Sequence, residues 1–160
     1  MPTPLYLMTL GCSKNRVDSE VMLGTLVGRG YALVSEPERA RVIVVNTCSF
    51  IGPAKEESIN AILQMAEHKK SGACEALIVT GCLAQRYAKE LIEELPEVDH
   101  FVGTGAYAQI GDLLAAVAAP KALIPDPPAM SLPRAAPQPS ATSRLVEILL
   151  EILWLATTIL

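Results

Sequence analysis

Aromatic residues are scarce in this 160-residue sequence, at 4%, and positive charge is in deficit, with 13 Lys and Arg against 17 Asp and Glu. The two signs of charge are interspersed, and the formal net charge is −4. A surface that holds a nucleic-acid backbone needs a basic stripe. We therefore expect that this chain does not itself hold a nucleic acid, which leaves nucleic acid open as a substrate.

An export signal is also lacking at the start of the sequence. The first ten residues contain neither a basic segment nor a long apolar segment followed by a small-residue cleavage site. The expected compartment is the cytoplasm, where thiols stay reduced, so the four cysteines are not expected to form disulfides. Metal binding, catalysis and burial remain open for them.

No apolar run is long enough to predict a membrane span. The stretch 145–160 is apolar but contains Glu147 and Glu151, and it is shorter than the ~20 residues that a span needs. We expect no membrane partner. The prediction is a helix that packs back on the domain or on a partner protein.

Short apolar runs and helical patterns alternate along the first part of the chain. The runs predict strands at 5–10, 31–34, 41–46, 76–80 and 100–102, and apolar residues at helical spacing predict helices at 15–27, from 53 through 66, at 84–94 and at 108–118. This alternation predicts an α/β fold, a flavodoxin-like open parallel sheet of about five strands with helices on both faces.

The composition changes after residue 119. Residues 120–139 hold seven of the twelve prolines, which is typical of an extended linker. We predict a domain over 1–119, a Pro-rich linker over 120–142 and a short apolar helix over 143–160 as an aberrant or truncated terminus.

Three cysteines, Cys12, Cys48 and Cys82, each follow a predicted strand. Ligands of open parallel sheets bind outside the carboxyl ends of the strands, so these thiols can converge. Thiolates are the ligands that iron–sulfur clusters prefer, and a helix N-terminus favours the thiolate. Three thiols on a four-iron cluster would leave one iron without a protein ligand, much as catalytic zinc sites keep one coordination position for a water or a substrate. Position alone leaves a zinc site and simple burial open.

Other candidates are weaker, and no catalytic residue is predicted. Cys74 lies before a strand, at the opposite edge of the sheet, and is given no cluster role. The glycines at 103 and 105 lack the rest of a dinucleotide fingerprint and predict a turn. His68 and His100 have no partner spacing typical of a metal site or a triad.

Five motifs carry a family resemblance: residues 11–20, 45–51, 54–59, 81–87 and 96–99. Together they closely resemble the amino-terminal domain of the methylthiotransferases, radical S-adenosylmethionine enzymes that insert a methylthio group into a C–H bond. The resemblance covers about residues 5–117. It implies that Cys12, Cys48 and Cys82 bind the auxiliary [4Fe-4S] cluster of that family.

Within the family, Lys14, the pair Phe50 and Ile51, and residues 83–87 are similar to the RimO type. That branch modifies an aspartate of a small-subunit ribosomal protein, so the resemblance implies a ribosomal protein as substrate. Two alternatives remain: the tRNA-adenosine branch, MiaB type, and a non-catalytic flavodoxin-like interaction domain.

The sequence departs from the family after the resembling region. The complete enzyme carries a barrel with a Cys-x3-Cys-x2-Cys motif, whose cluster cleaves S-adenosylmethionine, and a substrate-binding domain. Here no cysteine follows Cys82. We expect a truncated or frame-disrupted chain that is inactive alone, with S-adenosylmethionine used only by the full-length enzyme and a separate radical-generating chain as a candidate partner.

Overall fold

The computed structural model describes residues 2–70, 74–115 and 121–125, in which strands and helices alternate. The strands are β1 (Thr3–Thr9), β2 (Tyr31–Leu33), β3 (Val42–Thr47), β4 (Ala76–Gly81), β5 (His100–Val102) and β6 (Ala122–Leu123). The helices are α1 (Ser13–Val27), α2 (Gly52–Lys70), α3 (Cys82–Glu94) and α4 (Ile110–Ala115), with short 3₁₀ turns at Pro37–Arg39 and Tyr107–Gln109. The strands and helices predicted within 5–118 are all found, within a few residues of their expected bounds.

All strand pairs are parallel, and the order across the sheet is β2-β1-β3-β4-β5-β6. The first five strands follow the 2-1-3-4-5 order of flavodoxin-like sheets, which confirms the predicted fold class. The expected number of strands, about five, is one too few. The sixth strand was not predicted because its two residues are too few to show a period. Two backbone hydrogen bonds hold it to β5: the Phe101 N–H donates to the Lys121 carbonyl at 2.8 Å, and the Gly103 N–H donates to the Leu123 carbonyl at 2.9 Å.

The central strand β3 is buried on both faces, which explains its run of β-branched residues. Ile43 and Val45 pack in one core with α2 and α3. Val42 and Val44 pack in a second core with α1 and α4. Helices therefore cover both faces of the sheet, as the alternation predicts, and the carboxyl edge is left for loops.

Two of the predicted segments fall mainly outside the described residues. Of the predicted linker, 120–142, the structure describes residues 121–125, which contain β6; the predicted terminal helix over 143–160 lies wholly outside them. Among the residues described, no helix is both long enough and apolar enough to span a membrane.

Candidate functional site

The three predicted site cysteines follow three adjacent strands of the sheet. Cys12 follows β1 and caps the N-terminus of α1, Cys48 comes directly after β3, and Cys82 comes directly after β4 as the first residue of α3. The strand order reverses between β1 and β3, and such a reversal opens a crevice at the carboxyl edge where ligands bind. The site cysteines therefore lie at the position where this fold type holds its ligands.

The loop of Cys12 lies directly against Cys48. Gly11 has a φ of +87°, a left-handed conformation that favours glycine. A Cβ built on Gly11 would overlap the Cys48 side chain and lie 2.8 Å from its Sγ. Only glycine permits this approach of the first loop to the second thiol.

The loop of Cys82 is equally close to the end of β3. Gly81 has a φ of +99°, and a Cβ there would overlap the carbonyl of Thr47 and lie 2.6 Å from Asn46 Oδ1. The Thr47 hydroxyl also donates to the carbonyl of Thr80, at 2.5 Å. The loop of Cys82 can therefore pack against the end of β3 because Gly81 has no side chain, and the hydrogen bond from Thr47 holds it there.

The environment of Cys12 favours a thiolate. The backbone N–H groups of Asn15 and then Lys14 lower the pKa of the Cys12 thiol, and the charge of the Lys14 ammonium adds to this. These N–H groups belong to the first turn of α1, where they have no partner within the helix. Cys12 is also exposed to solvent, so a metal or an alkylating reagent can reach it.

Cys82 has a different environment. Burial raises the pKa of its thiol, and the negative charges of Cys48 and Cys12 raise it further. The interaction with both other cysteines reflects their proximity to Cys82. The negative charges of its two neighbours therefore oppose ionisation of Cys82, and a positive group bound between the thiols would offset them.

Lys14 and Asp18 form an ion pair on the first turns of α1, with 2.8 Å between Nζ and Oδ2. The hydrogen bond to Asp18 raises the pKa of Lys14, and the charges of Cys82 and Cys12 add to it. Near them, burial raises the pKa of the Tyr107 hydroxyl, and the Asp18 carboxylate adds to that shift. Tyr107 therefore stays protonated at neutral pH.

A buried polar network lies beneath the cysteine loops. Its donors are the side-chain amides of Asn15 and Asn46, and it also includes the hydroxyls of Ser19 and Thr9, which are 2.7 Å apart. Five buried side-chain atoms have no hydrogen-bond partner among the described residues: Asn15 Oδ1, Asn46 Oδ1, Ser49 Oγ, Thr80 Oγ1 and the Tyr107 hydroxyl. Unpaired buried acceptors are uncommon in folded proteins and are concentrated here at the candidate site.

The donor set, three thiols in loops after adjacent strands, is of the soft type that iron–sulfur clusters bind. Within the described ranges, no group of three or more His, Cys, Asp or Glu side chains is arranged to hold one metal ion. In a cluster each thiolate binds a different iron, so the sulfurs stand further apart than around zinc. The features in favour of such a group are three soft ligands in separate loops and two glycines that let those loops approach one another closely.

Cys74 stays apart from the other cysteines. It lies two residues before β4, at the amino edge, is buried, and its Sγ donates to the Ala76 carbonyl at 3.3 Å. Burial raises the pKa of this thiol. His68 lies in the last turn of α2 and His100 begins β5, both away from the cysteine loops along the chain. Residues 103–106 form the predicted turn, closed by the Ala106 N–H on the Gly103 carbonyl.

Sequence reasoning missed the polar residues that support the cysteine loops. Asn46 ends a run of β-branched residues and is fully buried, and Asn15 opens a helix and is 1% exposed. A polar residue at the end of a buried apolar strand is a signal in itself, because it requires partners. Which partners it finds depends on contacts between segments far apart in sequence.

Comparisons with known proteins agree with this geometry. Residues 4–103 match the model of a family described as "Uncharacterized protein family UPF0004". The "Ribosomal protein uS12 methylthiotransferase RimO" of Myxococcus xanthus is 72% identical over 126 residues, which are 79% of this chain and 26% of that protein. Proteins of the same description are 54% identical over 148 residues in Anaeromyxobacter sp. strain K (91% of this chain, 32% of that protein) and 55% identical over 111 residues in Sorangium cellulosum (69% and 23%).

The fold and the site define a class, a parallel α/β domain that presents three cysteines at the edge where its strand order reverses. The chain belongs to the UPF0004 family, and its matched region is the amino-terminal domain of a RimO-type methylthiotransferase. It spans about a quarter to a third of the length of these curated relatives.

Proposed function

We propose that Cys12, Cys48 and Cys82 together hold one [4Fe-4S] cluster, the auxiliary cluster of a methylthiotransferase whose substrate is an aspartate of a small-subunit ribosomal protein. The observation that carries the proposal is the placement of the three thiols on adjacent strands, with Gly11 and Gly81 bringing their loops together. The relatives' shared description supports the ribosomal-protein branch over the tRNA branch.

Each cysteine contributes differently to such a site. Cys12 is exposed and has a lowered pKa, so it supplies a thiolate at the mouth of the site. Cys48 is buried and forms the base, against Gly11. Cys82 is partly buried and lies at the start of α3.

The charge balance of the loops suits a bound anionic cluster. Lys14 interacts favourably with the charges of Cys12 and Cys82, and Arg86 also lowers the pKa of Cys82. A cluster bound by three protein thiolates supplies one iron with a position for an exogenous sulfur ligand. In such a site the three thiols would bind three irons and leave the fourth open to another ligand, with Cys48 on the buried side.

The rest of the reaction needs groups that these 160 residues do not contain. The sequence has no cysteine after Cys82 and therefore no Cys-x3-Cys-x2-Cys motif for the cluster that cleaves S-adenosylmethionine. Within this proposal, radical formation and recognition of the ribosomal protein belong to other domains of the complete enzyme or to a partner chain. The cytoplasm remains the predicted compartment.

Anaerobic reconstitution tests the proposal. The purified chain is incubated with ferrous iron, sulfide and a thiol reductant, desalted, and analysed for iron and by Mössbauer spectroscopy. We expect about four irons per chain, the content of one [4Fe-4S] cluster. The triple variant Cys12→Ala, Cys48→Ala, Cys82→Ala should bind almost none.

Cys74→Ala is the matched control, because it removes the one remaining cysteine and lies at the opposite edge. It should bind as much iron as the parent chain. Equal iron in the triple variant and the parent would falsify the assignment. A folded parent that stays colourless after reconstitution would instead favour a non-catalytic interaction domain.

A further inference from the structure

Two buried asparagine side chains connect the cysteine loops to one another. The Asn15 amide, in the first turn of α1, donates to the Leu10 carbonyl at 2.8 Å and to the Thr47 carbonyl at 3.0 Å. Leu10 lies two residues before Cys12, and Thr47 lies directly before Cys48. One side chain therefore ties the start of the first loop to the start of the second.

Asn46 makes the reciprocal connection from β3. Its amide donates to the backbone carbonyl of Asn15 at 2.8 Å and to Ser19 Oγ at 2.9 Å. Both bonds join the end of β3 to the first two turns of α1. All four N–H groups of the two amides are thus used, three of them between the end of β3 and the segment that carries Cys12 and α1.

The orientation of both amides is fixed by these partners. Three of the four acceptors are backbone carbonyl oxygens. A flipped amide would place an oxygen against a carbonyl oxygen, so only one orientation is compatible with the network. As a result, both Oδ1 atoms are left without a partner among the described residues.

The third loop rests on the same pair. The Gly81 backbone is close to Asn46 Oδ1 and to the backbone of Thr47, leaving no room for a Cβ. Cys82 is the next residue. Movement of the Asn46 side chain would therefore displace the supports of all three cysteines.

We propose that Asn15 and Asn46 are positioning residues that set the spacing of the Cys12, Cys48 and Cys82 thiols before any cluster binds. The inference rests on the proposed function for the identity of the group that the thiols receive. It extends beyond that function by assigning the spacing to two side chains that are not ligands. A role in general fold stability is the competing explanation.

The variants Asn15→Asp and Asn46→Asp test this with almost no change of volume. Each replaces two N–H donors by an oxygen that faces buried acceptors, so the loops must separate. Residues that orient metal ligands typically change metal affinity about 10- to 100-fold. We expect a ferrous chelator to remove iron from the reconstituted variants about 10- to 100-fold faster than from the parent.

The matched control is Asp99→Asn, at the opposite edge of the sheet. Asp99 accepts from Lys69 Nζ at 2.6 Å and from the Leu77 N–H at 2.7 Å, so this variant also weakens a polar network next to β4. It should lower the free energy of unfolding and leave iron loss at the parent rate. Ser19→Ala, which removes a single acceptor of Asn46, is the milder variant if either aspartate variant fails to fold, and should give a smaller acceleration.

A second measurement uses the metal-free chain. In a Cys74→Ala background, a short bifunctional thiol reagent should cross-link Cys12 and Cys82 in high yield. The yield should fall in Asn46→Asp and remain high in Asp99→Asn. This readout requires no cluster, so it still decides the inference if the parent binds no iron and the proposed function fails.

Two outcomes overturn the inference. In the first, both aspartate variants retain the parent rates of iron loss and the parent cross-linking yield. In the second, iron loss accelerates in every variant, Asp99→Asn included, in proportion to the decrease in unfolding free energy, which is what a purely stabilising network predicts. Acceleration confined to the carboxyl edge supports a positioning role.

Discussion

The polar groups at the two edges of the sheet differ in how completely they are hydrogen-bonded. At the amino edge, Lys69 Nζ lies 2.6 Å from both carboxylate oxygens of Asp99, which also accepts from the Leu77 N–H at 2.7 Å. Nothing in this group requires an external ligand. At the carboxyl edge, the amides of Asn15 and Asn46 use all their donors, but within the described part of the chain both oxygens lack a partner, beside three thiols. The first arrangement is satisfied within the fold, whereas the second leaves buried oxygens without partners at the edge where we propose a site.

The largest contrast is expected between two glycines with positive φ, one at each edge. Gly81→Ala should destabilise the chain by about 3 kcal/mol or more, because the new Cβ meets both backbone strain and the backbone of Thr47. Gly30→Ala, at φ +90° before β2, has no atom within 4 Å of the new Cβ and should cost only about 1 kcal/mol. Denaturant unfolding monitored by circular dichroism measures both. Equal losses would mean that the close approach at Gly81 adds nothing.

Thiol reactivity provides the second contrast. In the metal-free chain Cys12 is exposed with a lowered pKa, whereas Cys74 is 5% exposed with a pKa raised by burial. Because a lowered pKa keeps the thiolate populated at lower pH, the alkylation rate of Cys12 should begin to rise at lower pH than that of a free cysteine. At neutral pH we expect Cys74 to react about 100-fold more slowly, since it must wait for local opening. Mass spectrometry of alkylated peptides against time gives both rates, and similar rates would contradict the contrast.

The ion pair of Lys69 and Asp99 at the amino edge should contribute less to the free energy of unfolding than the glycine at position 81. Asp99→Asn should lower the unfolding free energy by about 1–2 kcal/mol, because the carboxylate loses its charge while the amide still accepts one bond. The pair is partly exposed, at 23% for Lys69 and 32% for Asp99, so the loss is smaller than for a fully buried pair. Chemical denaturation measures it. A simultaneous loss of iron binding would remove the distinction between the edges.

The smallest effect is expected at Lys14. Lys14→Gln removes an exposed ion pair with Asp18 and should change the unfolding free energy by less than about 0.5 kcal/mol. The pKa of Cys12 should rise slightly but remain below that of an ordinary thiol, because the backbone N–H groups of Asn15 and Lys14 lower it more than the ammonium does. The pH profile of Cys12 alkylation checks this. If Cys12 in Lys14→Gln reacted with the pH profile of a free cysteine, the lowered pKa of Cys12 would be due to the Lys14 ammonium instead.

The sequence was sufficient to predict the fold and the location of the cysteines, but it did not predict their support. Val42 to Val45 form a run whose residue types already indicate a central strand, and a cysteine placed after such a strand can only lie at the carboxyl edge. Asn46 could be recognised only as a polar residue at the end of that run. Its contacts with Asn15 and Gly81 join three segments distant in the sequence, and no local pattern encodes them. The strand β6 was also missed, because its two residues are extended only through their pairing with β5, which no local pattern predicts.

The parallel order of β1, β3 and β4 also bears on when the site can be assembled. Parallel neighbours are joined by whole crossover connections, so each pair of cysteines is separated by a helix and its flanking loops. Contacts between such distant segments form late, after the entropy of closing each connection has been overcome. A nascent chain therefore exposes isolated thiols until β4 has joined the sheet. Under the proposed function, cofactor loading would follow folding, and a bound cofactor would in turn hold the three strands together and slow unfolding of the domain.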